Sequence, residues 1–399
     1  MPSRSLPHAE IYLDANATTR VLPAARDAAL AAMADDFGNP SSIHGSGLRA
    51  RSLVDRVRAL ASRVLRAGGG ELLFTSGATE GIQTAVLSAL VALRERCRCA
   101  SAAAPLLLYG ATEHKAVPET LRHWTGLLGL DWPIRAIPVD GDGRHDLAWL
   151  ARHAPRAGLV CTMAVNNETG VIADLAGIDA ILRHSPALWL VDSVQAFGKV
   201  PLLLDTLRID FAPLSGHKLH APKGIGLLYV RHGAPLTPLM AGGGQEDGRR
   251  SGTENMAGIA ALGAVLQALE SGGTFRDVAE LRAFRAELVA ALRALFPTIV
   301  FNAPLAASVP TTLNFSVPGH DTGALIGLLD AAGIRVSGGS ACSAAQAAPS
   351  HVLLAMGLPP ERAASAVRLS FDATADAGFI RAACDGLRAS VGATAAVAA

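Results

Sequence analysis

Lys218 stands in the run Leu214-Ser215-Gly216-His217-Lys218, directly after an apolar stretch of strand character, and Asp192 and Gln195 follow another such stretch upstream. A lysine framed in this way suits a Schiff base. In such chemistry an amine holds an aldehyde, a carboxylate keeps a pyridine nitrogen protonated so that the ring acts as an electron sink, and further donors hold a phosphate. Lys218, Asp192 and the pair Ser215 and His217 supply the three parts of a pyridoxal phosphate site. Alone, Ser-Gly-His-Lys would serve equally as a polar turn with a solvated lysine.

Other segments add to the same chemistry. Phe74-Thr75-Ser76-Gly77-Ala78-Thr79-Glu80-Gly81 leads from a strand into a helix expected over Ile82 to Arg94. Around Ala78 and Thr79 it would offer unpaired backbone N–H groups and a hydroxyl at a positive helix end, which suits a phosphate; the alternative is an ordinary Ser/Thr helix cap. His114, in Thr112-Glu113-His114-Lys115, follows the strand Leu106 to Tyr109, and a flat imidazole at the carboxyl end of a sheet could stack on a planar cofactor or simply cap the strand. Asn167, in Asn166-Asn167-Glu168-Thr169-Gly170, also ends a strand, and its amide could bond a phenolic oxygen or a carboxylate, or belong to a plain turn.

Cys342 lies in Ser337-Gly338-Gly339-Ser340-Ala341-Cys342-Ser343-Ala344-Ala345-Gln346, among small residues that would leave its thiol unshielded. A nucleophilic cysteine must be exposed and partly ionised. Arg368 interrupts the apolar run Ala366-Val367-Arg368-Leu369-Ser370, where its two-pronged guanidinium would grip a substrate carboxylate or pair with an internal acid. Gly242-Gly243-Gly244, followed by Arg249 to Asn255 and including Thr253, is a glycine-rich polar loop of phosphate-binding character.

These residues need elements to position them. From about residue 70 to 232, apolar runs at Leu72 to Thr75, Leu106 to Tyr109, Leu159 to Val165, Leu188 to Asp192, Phe211 to Leu214 and Ile225 to Val230 alternate with helical patterns. That alternation predicts βα units around a mostly parallel sheet. A helical stretch from Gly258 to Phe296, interrupted near Ser271-Gly272-Gly273, bridges to a second set: strands at Thr298 to Phe301, Thr311 to Val317, Ile334 to Val336 and Ala366 to Ser370, with helices at Thr322 to Ala332 and at the end. The expected division is an N-terminal segment 1–20, a large domain 21–262 and a small α+β domain 263–399. The Ala-rich tail after Val391 is expected to fray.

With 399 residues, size does not limit the core. The 35 Lys+Arg balance 34 Asp+Glu, and no basic stripe interleaved with aromatics tracks a nucleic-acid backbone. Apolar stretches are interrupted before the roughly 20 residues that span a bilayer, and Met1 to His8 has no apolar signal core, so a cytoplasmic location without membrane partners is expected. Five cysteines, Cys97, Cys99, Cys161, Cys342 and Cys384, are an odd number without CxxC spacing, so reduced thiols are expected. His217 and His220 lack further ligands at sensible spacing, so no metal is expected.

In this order and spacing, from Ile11 to Leu387, the segments resemble the cysteine desulfurases of the class V aminotransferase group, pyridoxal-phosphate enzymes of fold type I. Tyr12-Leu13-Asp14, Ala17-Thr18-Thr19 and Phe37-Gly38-Asn39-Pro40-Ser41-Ser42 with His44 add to the match. The resemblance implies that Lys218 binds the cofactor aldehyde and moves protons, Asp192 holds the pyridinium and His114 stacks on the ring. Gln195 and Asn167 would bond the phenolic oxygen or the substrate. Thr79, Ser215 and His217 would hold the phosphate, with Thr253 reaching in from the other subunit of a homodimer. Arg368 would bind the carboxylate of L-cysteine, and Cys342 would carry the sulfur as a persulfide to an acceptor protein or scaffold. Ser340-Ala341-Cys342-Ser343 resembles the subgroup with the longer catalytic loop. Ala348 stands where the family commonly has Glu, and Phe371-Asp372 where it has Gly-Arg; with the Ala-rich end Ala389 to Ala399, these leave iron-sulfur assembly, tRNA or DNA thiolation and other thio-cofactor synthesis open as the sulfur's destination. The other readings are an aminotransferase or lyase of the same fold, selenocysteine lyase included, and a partner protein without activity.

Overall fold

The computed structural model describes residues 10–100, 103–339 and 349–397. Cys342 therefore lies outside the described residues. The strands in chain order are β1 (Ile11–Tyr12), β2 (Gly70–Thr75), β3 (Leu106–Gly110), β4 (Ile134–Ile137), β5 (Ala157–Met163), β6 (Leu188–Asp192), β7 (Phe211–Ser215), β8 (Gly226–Arg231), β9 (Val300–Phe301), β10 (Thr312–Ser316), β11 (Ile334–Arg335) and β12 (Ala366–Ser370).

Seven of them form one sheet in the order β2-β8-β7-β6-β5-β3-β4, parallel except where β8 runs against both of its neighbours. The central strands β5, β6 and β7 are buried along their whole length, as continuous apolar runs covered on both faces require. One apolar cluster, around Val160, Trp189, Val191 and Leu214, packs one face of this sheet, and another, around Val86, Leu107, Leu159 and Phe211, packs the other.

The smaller unit joins β12-β10-β9 in an antiparallel sheet, with β1 and β11 paired in parallel beside it. Its core gathers Leu13, Leu288, Leu292, Phe315, Leu369 and Phe371. The N-terminal segment thus packs into the smaller unit. The expected division at 262/263 falls inside the helix Met256–Ser271, whose Leu262, Val265 and Leu266 belong to the larger core. The crossover comes at Gly272 to Asp277, before the helix Val278–Leu295, which opens on an Asp277/Glu280 capping box.

The last helix, Ala377–Val397, continues through the tail expected to fray, as alanine's helix propensity favours. Among the described residues no helix is long and apolar enough to cross a membrane. Cys161 and Cys384 are buried, Cys97 is half-buried and Cys99 exposed, and all four are free thiols.

Candidate active site

The carboxyl ends of β5, β6 and β7 and the start of the helix Ala78–Ala100 surround a cavity of about 450 Å³. Ligands collect at this end of an open α/β sheet. Ala78, Thr79, His114, Asn167, Asp192 and Gln195 line it, and so do Ser215, His217, Lys218 and Arg368. Thr253 does not: it lies in a separate groove with Met33, Phe37 and Gly38.

Asp192 closes β6 and is only 3% exposed. Its carboxylate accepts the Val194 N–H at 3.0 Å. Burial lifts this carboxyl above the usual range, while the Val194 N–H, His114 and Lys218 act in the opposite direction. A cationic ring nitrogen would be a favourable partner for so desolvated an acid.

Lys218 leaves the single turn Gly216–Lys218 that follows β7. Its Nζ donates to the Asn16 carbonyl at 2.7 Å and the Ala17 carbonyl at 2.8 Å. These two backbone carbonyls define the position of the amine within the cavity.

The phosphate end is built from backbone. Helix Ala78–Ala100 leaves its first N–H groups without intrahelical acceptors, and Gly77, Ala78, Thr79 and Glu80 border the cavity there. β8 passes close behind: a Cβ on Gly226 would sit 2.5 Å from the Leu214 carbonyl oxygen and 2.8 Å from Gly77 Cα, so only glycine lets these strands cradle the helix start. His217 places Nδ1 3.1 Å from Thr18 Oγ1. Burial, with Lys218 and Lys223 nearby, pushes it down to about 4, so it is a neutral imidazole at neutral pH.

His114 follows β3, and its Nδ1 accepts the Ala116 N–H at 3.2 Å. That bond leaves the proton on Nε2. Burial is the largest of the influences that hold His114 below its ordinary value, consistent with a neutral ring.

Among the described residues, the buried atoms Asn167 Oδ1 and Arg368 Nε, on two side chains that line this cavity, have no hydrogen-bond partner. Leaving such atoms unpaired costs about 1–3 kcal/mol each, so the arrangement calls for a polar ligand. Arg368 is 1% exposed; it also donates to Asp14 at 2.6 Å and to the Asn167 carbonyl at 3.1 Å. The internal acid pair is therefore present, and both terminal guanidinium nitrogens are engaged.

Sequence reasoning missed three contributors. Asn16 donates to the Asn167 carbonyl and to Thr312 Oγ1 while its own carbonyl receives Lys218 and Gln195. Lys199 donates to Asn16 and Gln195. Glu113 is a fully buried acid close to Asp192. Asn16 and Glu113 were visible as neighbours of Ala17 and His114; Lys199 carries no local signal.

A family model described as aminotransferase class V matches residues 11–378. A cysteine desulfurase from Cereibacter sphaeroides is 40% identical over 363 residues, covering 90% of each chain. Among solved structures, a NifS-like protein is similar with a TM-score of 0.84 and 31% identity, covering 97% of this chain and 100% of that one. DndA from Streptomyces lividans gives a TM-score of 0.73 and 34% identity, over 90% and 99% of the respective chains.

Proposed function

The chain belongs to the class V aminotransferases and, among them, to the cysteine desulfurases; from this premise we propose that its cavity holds pyridoxal 5'-phosphate and that Cys342 carries the sulfur taken from L-cysteine. The convergence of Lys218, Asp192 and His114 on one cavity that Asn167 and Arg368 also line carries this proposal.

The residues fit the cofactor. Asp192 would face the ring nitrogen, His114 the ring, Gln195 the phenolic oxygen, and Ala78, Thr79, Ser215 and His217 the phosphate. When bound, the cofactor supplies an electron sink for the substrate's α-carbon. Arg368 and Asn167 orient the substrate through its carboxylate. Lys218 Nζ removes the proton from the substrate's Cα and returns protons as the product forms. The Cys342 thiolate attacks the substrate sulfur, the substrate's carbon–sulfur bond breaks with its electron pair kept on carbon, and a proton completes L-alanine. The new sulfur–sulfur bond leaves a persulfide on Cys342 for a thiol acceptor.

The working form is a homodimer acting in the cytoplasm. Ile43 is 93% and Phe37 70% exposed, and Leu30, Met33 and Leu48 are exposed as well. Met33 and Phe37 border one groove, and exposed large apolar side chains there call for a covering surface, which a second copy supplies. Thr253 borders the same region beside Phe37, away from its own chain's cavity, as a residue destined for the partner's phosphate would.

The test is L-cysteine with a reductant and purified protein carrying its visible cofactor band. Equal alanine and sulfide are expected, lost in Cys342→Ala while the band remains. Transamination with an indifferent Cys342→Ala would overturn the assignment.

A further inference from the structure

Lys199 lies four residues beyond Gln195, in the turn after β6. Its Nζ donates to Gln195 Oε1 at 2.6 Å and to Asn16 Oδ1 at 3.0 Å. An ammonium has only donors, so it fixes which end of the amide it meets. With Oε1 taken by Lys199, the Gln195 NH2 turns the other way, where Nε2 donates at 3.0 Å to the Asn16 carbonyl, the same acceptor that receives Lys218. Gln195 is 2% exposed and lines the cavity, whereas Lys199 borders a small space behind it with Lys218, Leu219 and His220. Lys199 therefore reaches the cavity through Gln195.

An amide is nearly symmetric in shape, and nothing steric prevents it from turning over. Turned over, Gln195 would aim its oxygen at the Asn16 carbonyl oxygen and leave no donor beside it. We propose that Lys199 is a positioning residue: it locks the Gln195 amide with its NH2 toward the cavity, where a phenolic oxygen requires a donor, and ties the Asn16 segment that receives Lys218 to the end of β6. The inference rests on the cavity being a pyridoxal phosphate site. Burial first, and then Lys218 and Arg368, push Lys199 down to about 7. The charged form, which has no acceptor, gives the lock its direction; a neutral amine keeps its donors but adds an acceptor lone pair.

The test is a double-mutant cycle on Lys199→Met and Gln195→Ala, read as the affinity of cofactor-stripped protein for added pyridoxal 5'-phosphate and as the position of the visible band. Each single variant is expected to bind about tenfold more weakly, and the double variant no more weakly than either, because the two residues act as one unit. Lys199→Gln, an uncharged donor, should stay within about threefold of the unsubstituted protein. Unchanged affinity in Lys199→Met, or losses that multiply to about a hundredfold in the double variant, would overturn the inference. Thermal unfolding of the stripped proteins checks folding; should Lys199→Met not fold, a tenfold loss in Lys199→Gln overturns it instead. Absence of any visible band in the unsubstituted protein would instead overturn the cofactor assignment.

Discussion

Lys218 Nζ and the carbonyl oxygen of Asn16 lie 2.7 Å apart, so the amine at the centre of the cavity is moored to a segment that enters from the smaller unit. Asn16 takes its own N–H to Ser370 Oγ on β12 at 2.9 Å and its side chain to Thr312 Oγ1 on β10 at 2.9 Å. One residue thereby links Lys218 to β12 and β10 of the small sheet.

Asn16→Ala keeps the carbonyl and removes the side chain's bonds to Lys199, Thr312 and Asn167. Buried partners are left unpaired. A loss of about 2 kcal/mol in urea unfolding is expected. A loss below about 0.5 kcal/mol would mean that water replaces these bonds and that the segment is not tied through its side chain.

Arg368 spends one terminal nitrogen on Asp14 and the other on the Asn167 carbonyl, while Nε stays unpaired. Lysine cannot reproduce that fork. Arg368→Lys is expected to lower kcat/KM for L-cysteine about a hundredfold, mainly through KM, with the visible band in place. Loss of the band with KM unchanged would assign Arg368 to the cofactor rather than to the substrate.

Acid stability follows from two histidines. Burial pushes His145 down to about 4, and burial with Lys218 and Lys223 does the same to His217. Between about pH 4 and 6.5 the unfolded chain binds protons that the folded chain does not, so stability rises with pH across this window and is lost as pH falls through it. After allowance for partial solvent contact, about 2 kcal/mol in total is expected from the pair. Urea midpoints at pH 4.5 and 7 in His145→Gln and His217→Gln should show a smaller acid loss than the unsubstituted protein; an identical loss would place the acid sensitivity elsewhere.

What could be read before the structure depended on whether a residue's role is local. β6 and β7 are continuous apolar runs ending in Asp192 and in Ser215 to Lys218, so strand and site residue announce each other. β4, by contrast, is four residues at the sheet edge with Arg135 exposed, and edge strands need no continuous apolar run. The helix Gly45–Val64 buries Val54, Val57, Leu60 and Ala61 at helical spacing, but its arginines and serines thin the apolar signal. Asn16 and Lys199 act through bonds to residues distant in sequence or hidden behind the cavity wall, which spacing along the chain does not encode. The groove beside Thr253 likewise becomes apparent only once the fold brings Met33, Phe37 and residue 253 together.

Glu113 precedes His114 and points inward, 1% exposed, with the Met163 backbone N–H and the Asp192 charge beside its carboxyl. A Cβ on Gly110 would lie 2.8 Å from Glu113 Oε1 and 2.5 Å from His145 Nε2, so both side chains close over that glycine. Burial first, and then the Asp192 charge, raise the Glu113 carboxyl well above its ordinary value against the opposing Met163 backbone N–H, so the folded protein keeps its proton where the unfolded chain has released it. A group with a raised folded value contributes stability below its unfolded value, near 4.5, and loses it as pH rises. Glu113→Gln keeps the shape and removes the titration. Its urea midpoint should match the unsubstituted protein at pH 4 and exceed it increasingly toward pH 8. A difference that does not change with pH would show that Glu113 is ionised in the fold, in which case a cationic partner, not burial, governs the acid behind Asp192.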